Sequence, residues 1–399
     1  MFRRIAFALL ICTLFGLLTL PVLAQDEINF GAVLDGPKND RGRSQAHFEA
    51  GQYVEANNQN ATMLFFESLN EADTPEATLM DVVTEMVDSG AEVIFTTSAS
   101  FEQDTNAVAE AFPEVVFINI TGSNALHGDA PANVGNFNTL MEVPRLLAGC
   151  SAALASETGK IGYLGALIDP ETRRLAASSY LGARHCWDTY RADMGMDLEF
   201  TVTWIGFWFH IPGFTLDPTE VANEFFDNGA DVVISGIDTT EAIQVAGRRA
   251  SEGSRTFAIP YGNVGGCDEA PEACLGVAYY NWGPAYLDVV NSVADGSWEQ
   301  SWEWLALDWM DINNPDTSTS GYLRSDGMPE ETAANLDEFQ GALADYMSAQ
   351  DMGVESLYLW QGPLNLQDGS ELAADGEAVP LLDIWFVPQL LEGMVGASE

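Results

Sequence analysis

Asn39, Asp40 and Arg43 lie close together in the stretch NFGAVLDGPKNDRGRSQAHFEAG, residues 29–51. They supply an amide, a carboxylate and a guanidinium just before a helix. The loop amides and that helix's N-terminus can donate to a polar or anionic ligand. The plainer reading is a βα turn in which Asp40 only caps the helix. Chemistry beyond binding has little support in the chain. His47, His127, His185 and His210 are scattered with no metal-ligand spacing. No Gly-x-Ser-x-Gly elbow or phosphate loop is present, and no nucleophile has an obvious base. Asp308, Asp311, Asn313 and Asp316 do not match an EF-hand and read as a solvated loop. We therefore expect no enzyme activity, no metal and no cofactor.

The elements that position these residues follow from hydrophobic patterning. An apolar run at 30–34 reads as a buried strand, stopped by Asp35-Gly36-Pro37, and a helix begins near Arg43 or Ser44. Strand, loop and helix in that order put the loop at the carboxyl end of a sheet, where open α/β sheets bind ligands. Strands and helices then alternate: strands at 61–66, 93–97 and 115–120, helices at 75–88 and 103–112. The unit restarts with a helix at 141–156, a strand at 160–166 and a helix at 170–191. DSGAEVIFTT at 88–97 and DNGADVVISG at 227–236 repeat one helix-end, turn and strand pattern. The recurrence suggests two lobes of like topology, though a common turn also recurs by chance. Residues 311–328 read as a polar loop, and 357–376 as a hairpin with Asp368-Gly369 at its tip.

Residues 1–24 read as a secretory signal peptide: Arg3 and Arg4, then an apolar run, then small Ala24 before Gln25. Retention as an anchor is the alternative. We expect an exported protein, in the periplasm or at the cell exterior. The net charge of −45 leaves Lys38 and Lys160 as the only lysines. That surface repels nucleic acid and anionic membrane. Four cysteines follow the leader, and an even number in an exported chain favours disulfides. Cys267 and Cys274 bracket a short loop and are the better pair. Cys150 and Cys186 lie on predicted helices and can pair only if those helices are neighbours.

Several motifs, in order, carry a family resemblance: GPKNDRGRSQAHFEAG, VIFTTSASF with AEAFPEVVFINITG, LLAGCSAALASETGKIGYLGA, FDNGADVVI, VAYYNWGPAY, ADGSW and WQGPLNLQDGS. Together they resemble the basic membrane protein family of ABC-transporter substrate-binding proteins, which includes purine-nucleoside receptors. The resemblance implies the two-lobed type I periplasmic-binding fold, α/β with two doubly wound, mostly parallel sheets joined by a hinge. It places one lobe at 25–138 with a return at about 277–310, and the other at 139–276 with about 311–399. It implies a monomer that hands a purine base, a related flat heterocycle or a nucleoside to permease and ATPase subunits. The alternatives are a ligand-sensing receptor subunit and an exported nucleoside hydrolase.

The family sandwiches the base between two aromatics. Arg43 stands at the first position, where a guanidinium can also stack or can pair with an acid. The second falls at Trp208 or Phe209, which can equally be core. Asn39 and Asp40 match the polar loop lining the cleft. Thr121 stands where nucleoside-binding members carry an acid that reads the base. The ribose-binding aspartate aligns near Gly262, beside Asn263, and the ribose-binding lysine aligns with Tyr280. Both ribose anchors are thus missing, which favours a free base. Tyr280 and Trp282 sit at an expected lobe crossing, as cleft contacts or as hinge supports.

Overall fold

The computed structural model describes residues 27–350 and 354–399, so the export segment read at 1–24 lies outside the described residues. The first half of the chain runs β1 (Ile28–Val33), α1 (Arg43–Asn57), β2 (Ala61–Phe66), α2 (Leu79–Asp88) and β3 (Ala91–Thr96). It continues through α3 (Glu102–Ala111), β4 (Val116–Asn119), α4 (Asn124–His127) and β5 (Val134–Thr139). The series then restarts: α5 (Glu142–Ala155), β6 (Lys160–Gly165), α6 (Pro170–Tyr190), β7 (Glu199–Trp204) and α7 (Pro218–Asp227). Next come β8 (Val232–Gly236), α8 (Glu241–Ser251), β9 (Phe257–Ile259), β10 (Tyr261–Gly262), β11 (Gly276–Tyr280) and α9 (Gly283–Ala294). The last part holds β12 (Trp302–Leu305), β13 (Ser320–Arg324), α10 (Glu330–Ser348), β14 (Leu364–Asn365), β15 (Glu371–Ala373), α11 (Leu381–Trp385) and β16 (Met394–Val395).

Two parallel sheets result, ordered β12-β5-β4-β3-β1-β2 and β16-β7-β6-β8-β9. The order β2-β1-β3-β4 in one matches β7-β6-β8-β9 in the other, so both lobes are doubly wound in the same sense. The central strands β1, β3 and β8 are largely apolar because helices cover both faces; every residue of β8 is buried, as is every residue of β5 even though Asn136, Asn138 and Thr139 are among them. The repeated Gly of the two matching motifs has the same task in each. Gly90 (φ 89°) and Gly229 (φ 93°) turn the chain from α2 into β3 and from α7 into β8.

Both sheets borrow strands from late in the chain. β12 lies at the edge of the first sheet beside β5, and β16 at the edge of the second beside β7. The 311–328 segment is not all loop: β13 pairs antiparallel with β11 there, because Ser320, Gly321 and Tyr322 are buried against the crossing strand. The helix read from residue 75 starts at Leu79, since Thr78 and Asp81 form a capping box. The late hairpin is present as β14 and β15, antiparallel, with Gly369 at φ 83° between them.

One continuous apolar cluster runs from Phe30 and Phe95 in the first lobe, through Leu146 and Leu147 of α5, to Tyr163, Phe200 and Trp360. Disulfides join Cys150 on α5 to Cys186 on α6, and Cys267 to Cys274. No helix among the described residues is long and apolar enough to cross a membrane.

Candidate functional site

The carboxyl ends of the two sheets face each other, and the first groups to meet there come from the start of α1. Asp40 Oδ1 accepts from the amides of Gly42 (2.7 Å) and Gln45 (3.0 Å), and Oδ2 from Ser44 (3.1 Å). Three amides left free at the helix start are thereby satisfied, which is the capping task the sequence allowed. Burial still pushes the Asp40 carboxyl up to about 6, against the pull of those amides and with Asp35 adding to the rise. Asn39 is exposed on the loop before it.

Arg43, in the first turn of α1, reaches across to the second lobe. Its Nη1 lies 3.3 Å from Oε1 of Glu171, while its Nε donates to the Thr97 carbonyl at 3.3 Å. The other Glu171 oxygen accepts from the Thr121 hydroxyl at 2.6 Å. Glu171 is held in place by the local sequence: Asp169 and Thr172 form a capping box around Pro170, so α6 starts with its second residue aimed across the gap. Burial opposes a charge on Glu171, yet Arg43 and Arg174 together hold its carboxyl below the usual range.

Asp238 follows β8 and faces the same gap. Its amide donates to the Trp208 carbonyl at 2.9 Å, but carboxyl Oδ1 is buried without a partner among the described residues. Burial, then Asp35 across the gap, drives the Asp238 carboxyl well above its ordinary value. The backbones come closest here. A Cβ on Gly42 would collide with the Asp238 carbonyl, and one on Gly262 (φ 98°) would lie 2.9 Å from the Gly42 carbonyl carbon. Arg43 Nη2 is likewise buried with no partner among the described residues.

At the crossing strands two tyrosines join the lobes. Tyr261 and Tyr280 hydroxyls hydrogen-bond each other, with the Arg43 guanidinium 5.4 Å over the Tyr280 ring and that of Arg145 4.1 Å over Tyr261. Trp282, fully buried, stacks between Tyr280 (4.7 Å) and His47 (5.1 Å), and His47 bonds the Tyr286 hydroxyl at 2.9 Å. Asn263 bridges to Glu49 of α1 at 2.8 Å. A second contact lies farther out, where Trp302 and Trp304 of β12 pack edge-on against Trp385 at 4.9 and 4.8 Å.

The structure thus brings Asp40, Arg43, Thr121, Asn263, Tyr280 and Trp282 to the meeting of the lobes. Trp208 is buried in an apolar cluster of the second lobe with Leu164, Ile205 and Ile237. Phe209 is half-buried, and the neighbouring Phe207 meets it edge-on at 4.9 Å. Glu171, Asp238, Arg145 and Tyr261 escaped the reading of the sequence. Glu171 reads there as an ordinary first-turn acid, and Asp238 as a turn residue. The one local signal was the Asp-Pro-Glu-Thr helix start, which marks where α6 begins but not what its acid meets.

A family model described as ABC transporter substrate-binding protein PnrA-like matches residues 28–308. A purine-binding protein of Brucella abortus is 27% identical over 358 residues, covering 89% of this chain and 89% of that protein. A protein of Haloferax volcanii, named as a candidate ABC transporter glucose-binding protein, is 27% identical over 279 residues, covering 70% of this chain and 64% of its own length. Among solved structures, a solute-binding protein of an Aeropyrum pernix ABC transporter superposes with a TM-score of 0.59 at 16% identity, covering 79% of this chain and 81% of that one. The corresponding Conexibacter woesei protein gives 0.57 at 18%, covering 80% and 97%. At such identities the solved structures speak to the two-lobed fold alone.

Proposed function

From the premise that the chain belongs to the PnrA-like family of ABC transporter substrate-binding proteins, we propose that it captures a purine base or related flat heterocycle between its lobes. It works outside the cytoplasm and, as a closed monomer, passes that ligand to a permease driven by an ATPase. The lobes in this reading are 25–138 with about 277–310, and 139–276 with about 311–399. The observation that carries it is the buried contact of Arg43 with Glu171 and Thr121. Groups from both lobes converge there, and Arg43 Nη2 and Asp238 Oδ1 are left unsatisfied beside it. A ligand that touches both lobes favours the closed state by its contacts to each.

Two features support a base over a nucleoside. Gly262, where a ribose-binding acid would stand, has a positive φ and no room for a side chain. Tyr280, at the corresponding lysine position, has its hydroxyl engaged by Tyr261. The purine class is supported by the name of the Brucella abortus relative.

A thermal-shift and calorimetric panel of purines, pyrimidines, their nucleosides and glucose tests the reading, since a ligand of the folded state raises the melting temperature. Saturable binding of a purine base without product is the expected result. Binding of glucose alone would overturn the ligand class, and turnover of inosine would overturn the receptor reading.

A further inference from the structure

Three arginines are buried among the described residues: Arg43, Arg145 and Arg174. Arg43 pairs with Glu171, and Arg174 with Glu142 at 2.7 Å. Arg145 has no carboxylate within salt-bridge distance among the described residues. Its Nη1 donates to the Ser235 carbonyl at 2.6 Å, while Nε and Nη2 are buried with no partner. The ring of Tyr261 beneath it offsets only part of the cost of an unpaired charge removed from water.

Arg145 belongs to the same assembly as Arg43. The two guanidinium groups lie over the hydrogen-bonded pair Tyr261 and Tyr280, one on each ring. Ser235, which holds Arg145, lies near the end of β8, three residues before Asp238. The charged acceptors here are engaged: Glu171 by Arg43 and Thr121, Asp40 by the α1 amides, and Asp35 Oδ1 by the Ser44 hydroxyl at 3.2 Å. The groups left over are therefore mainly donors. Burial and Asp35 favour the protonated form of Asp238, which adds one more.

We propose that Arg145, with the free Nη2 of Arg43, selects a ligand rich in acceptor oxygen and carrying negative charge: an oxopurine such as xanthine or urate, rather than an aminopurine such as adenine. The inference rests on the purine reading above and narrows it. Exocyclic carbonyl oxygens or an anionic ring nitrogen would accept from the guanidinium groups and supply the countercharge that Arg145 lacks. Adenine would set its amino donor against donors.

Titration calorimetry of the purified protein with xanthine, urate, hypoxanthine, adenine and the non-purine oxo-anion orotate tests this. Xanthine and urate are expected to bind at least about tenfold more tightly than adenine. Arg145→Met should weaken xanthine and urate by about tenfold while changing adenine little, with Arg145→Lys intermediate. Adenine binding as tightly as xanthine, or an equal loss for all ligands in Arg145→Met, overturns the proposal. If Arg145→Met gives no cooperative melt, the wild-type panel and Arg145→Lys decide. Purines that bind without preference for oxo forms defeat this inference and leave the purine reading standing. Orotate binding without any purine does the reverse. Silence across the panel overturns both.

Discussion

Arg43 and Glu171 meet across the gap at 3.3 Å with side-chain exposures of 4% and 8%, so the contact between the lobes is a dry ion pair. Removing one member of such a pair leaves the other charged and unsolvated, at a cost of about 3–5 kcal/mol. Glu171→Gln is therefore expected to shift the lobes toward an open state. Small-angle scattering should show a larger radius of gyration, and the environment of the Trp302, Trp304 and Trp385 cluster should change in fluorescence. An unchanged profile in both measurements would show that the pair does not hold the lobes together.

Gly42 tests closure without touching a charge. Its φ of −130° suits any residue, but an added methyl meets the Asp238 carbonyl only when the lobes are shut. Overpacking of that kind costs about 1–3 kcal/mol. Gly42→Ala should lower ligand affinity by that amount while leaving the first lobe's own unfolding intact. Equal affinity in the variant would mean that the bound form is more open than the structure described above.

Most of the scaffold was legible in the sequence because parallel strands buried on both faces leave apolar runs that turns punctuate. The runs at β1, β3 and β6 could be placed to within a residue or two. β13 was missed, since Ser320 and Gly321 look like loop and become strand only through pairing with β11. The gap-facing residues divide the same way. Asp40 and Arg43 follow directly from a strand-loop-helix pattern. Glu171 and Asp238 acquire meaning only when a second sheet brings them opposite the first, a relationship no window of sequence contains.

Asp238 gives a pH test. Its carboxyl is raised in the folded protein, so the folded state binds more protons than the unfolded state above the ordinary carboxylate range, and stability falls as pH rises there. Asp238→Asn removes that dependence. The melting-temperature difference, variant minus wild type, should grow more positive between about pH 4 and about pH 7. A constant difference would place Asp238 in water.

Trp208 is 6% exposed within the apolar cluster of the second lobe. Trp208→Ala should destabilise the protein by about 3–5 kcal/mol in chemical denaturation. Trp208→Phe preserves most of that packing, so calorimetry on this variant isolates any stacking on ligand. Wild-type affinity in Trp208→Phe together with a small stability change in Trp208→Ala would remove both roles.

The two disulfides should differ in weight. Cys150–Cys186 closes a separation of 36 residues and Cys267–Cys274 one of 7. Chain-entropy reasoning gives roughly 4 and roughly 2 kcal/mol. Replacing each pair by alanine and comparing denaturant midpoints checks the order, and a larger loss for the short loop would reverse it.

The strand Trp302–Leu305 finishes the first sheet only after the chain has built the second. Neither half can therefore be lifted out as a contiguous gene fragment with its edges intact. A chimera that exchanges one half between relatives must splice at more than one junction, and a ribosome making this protein leaves its earliest half unfinished until long after the later one has begun.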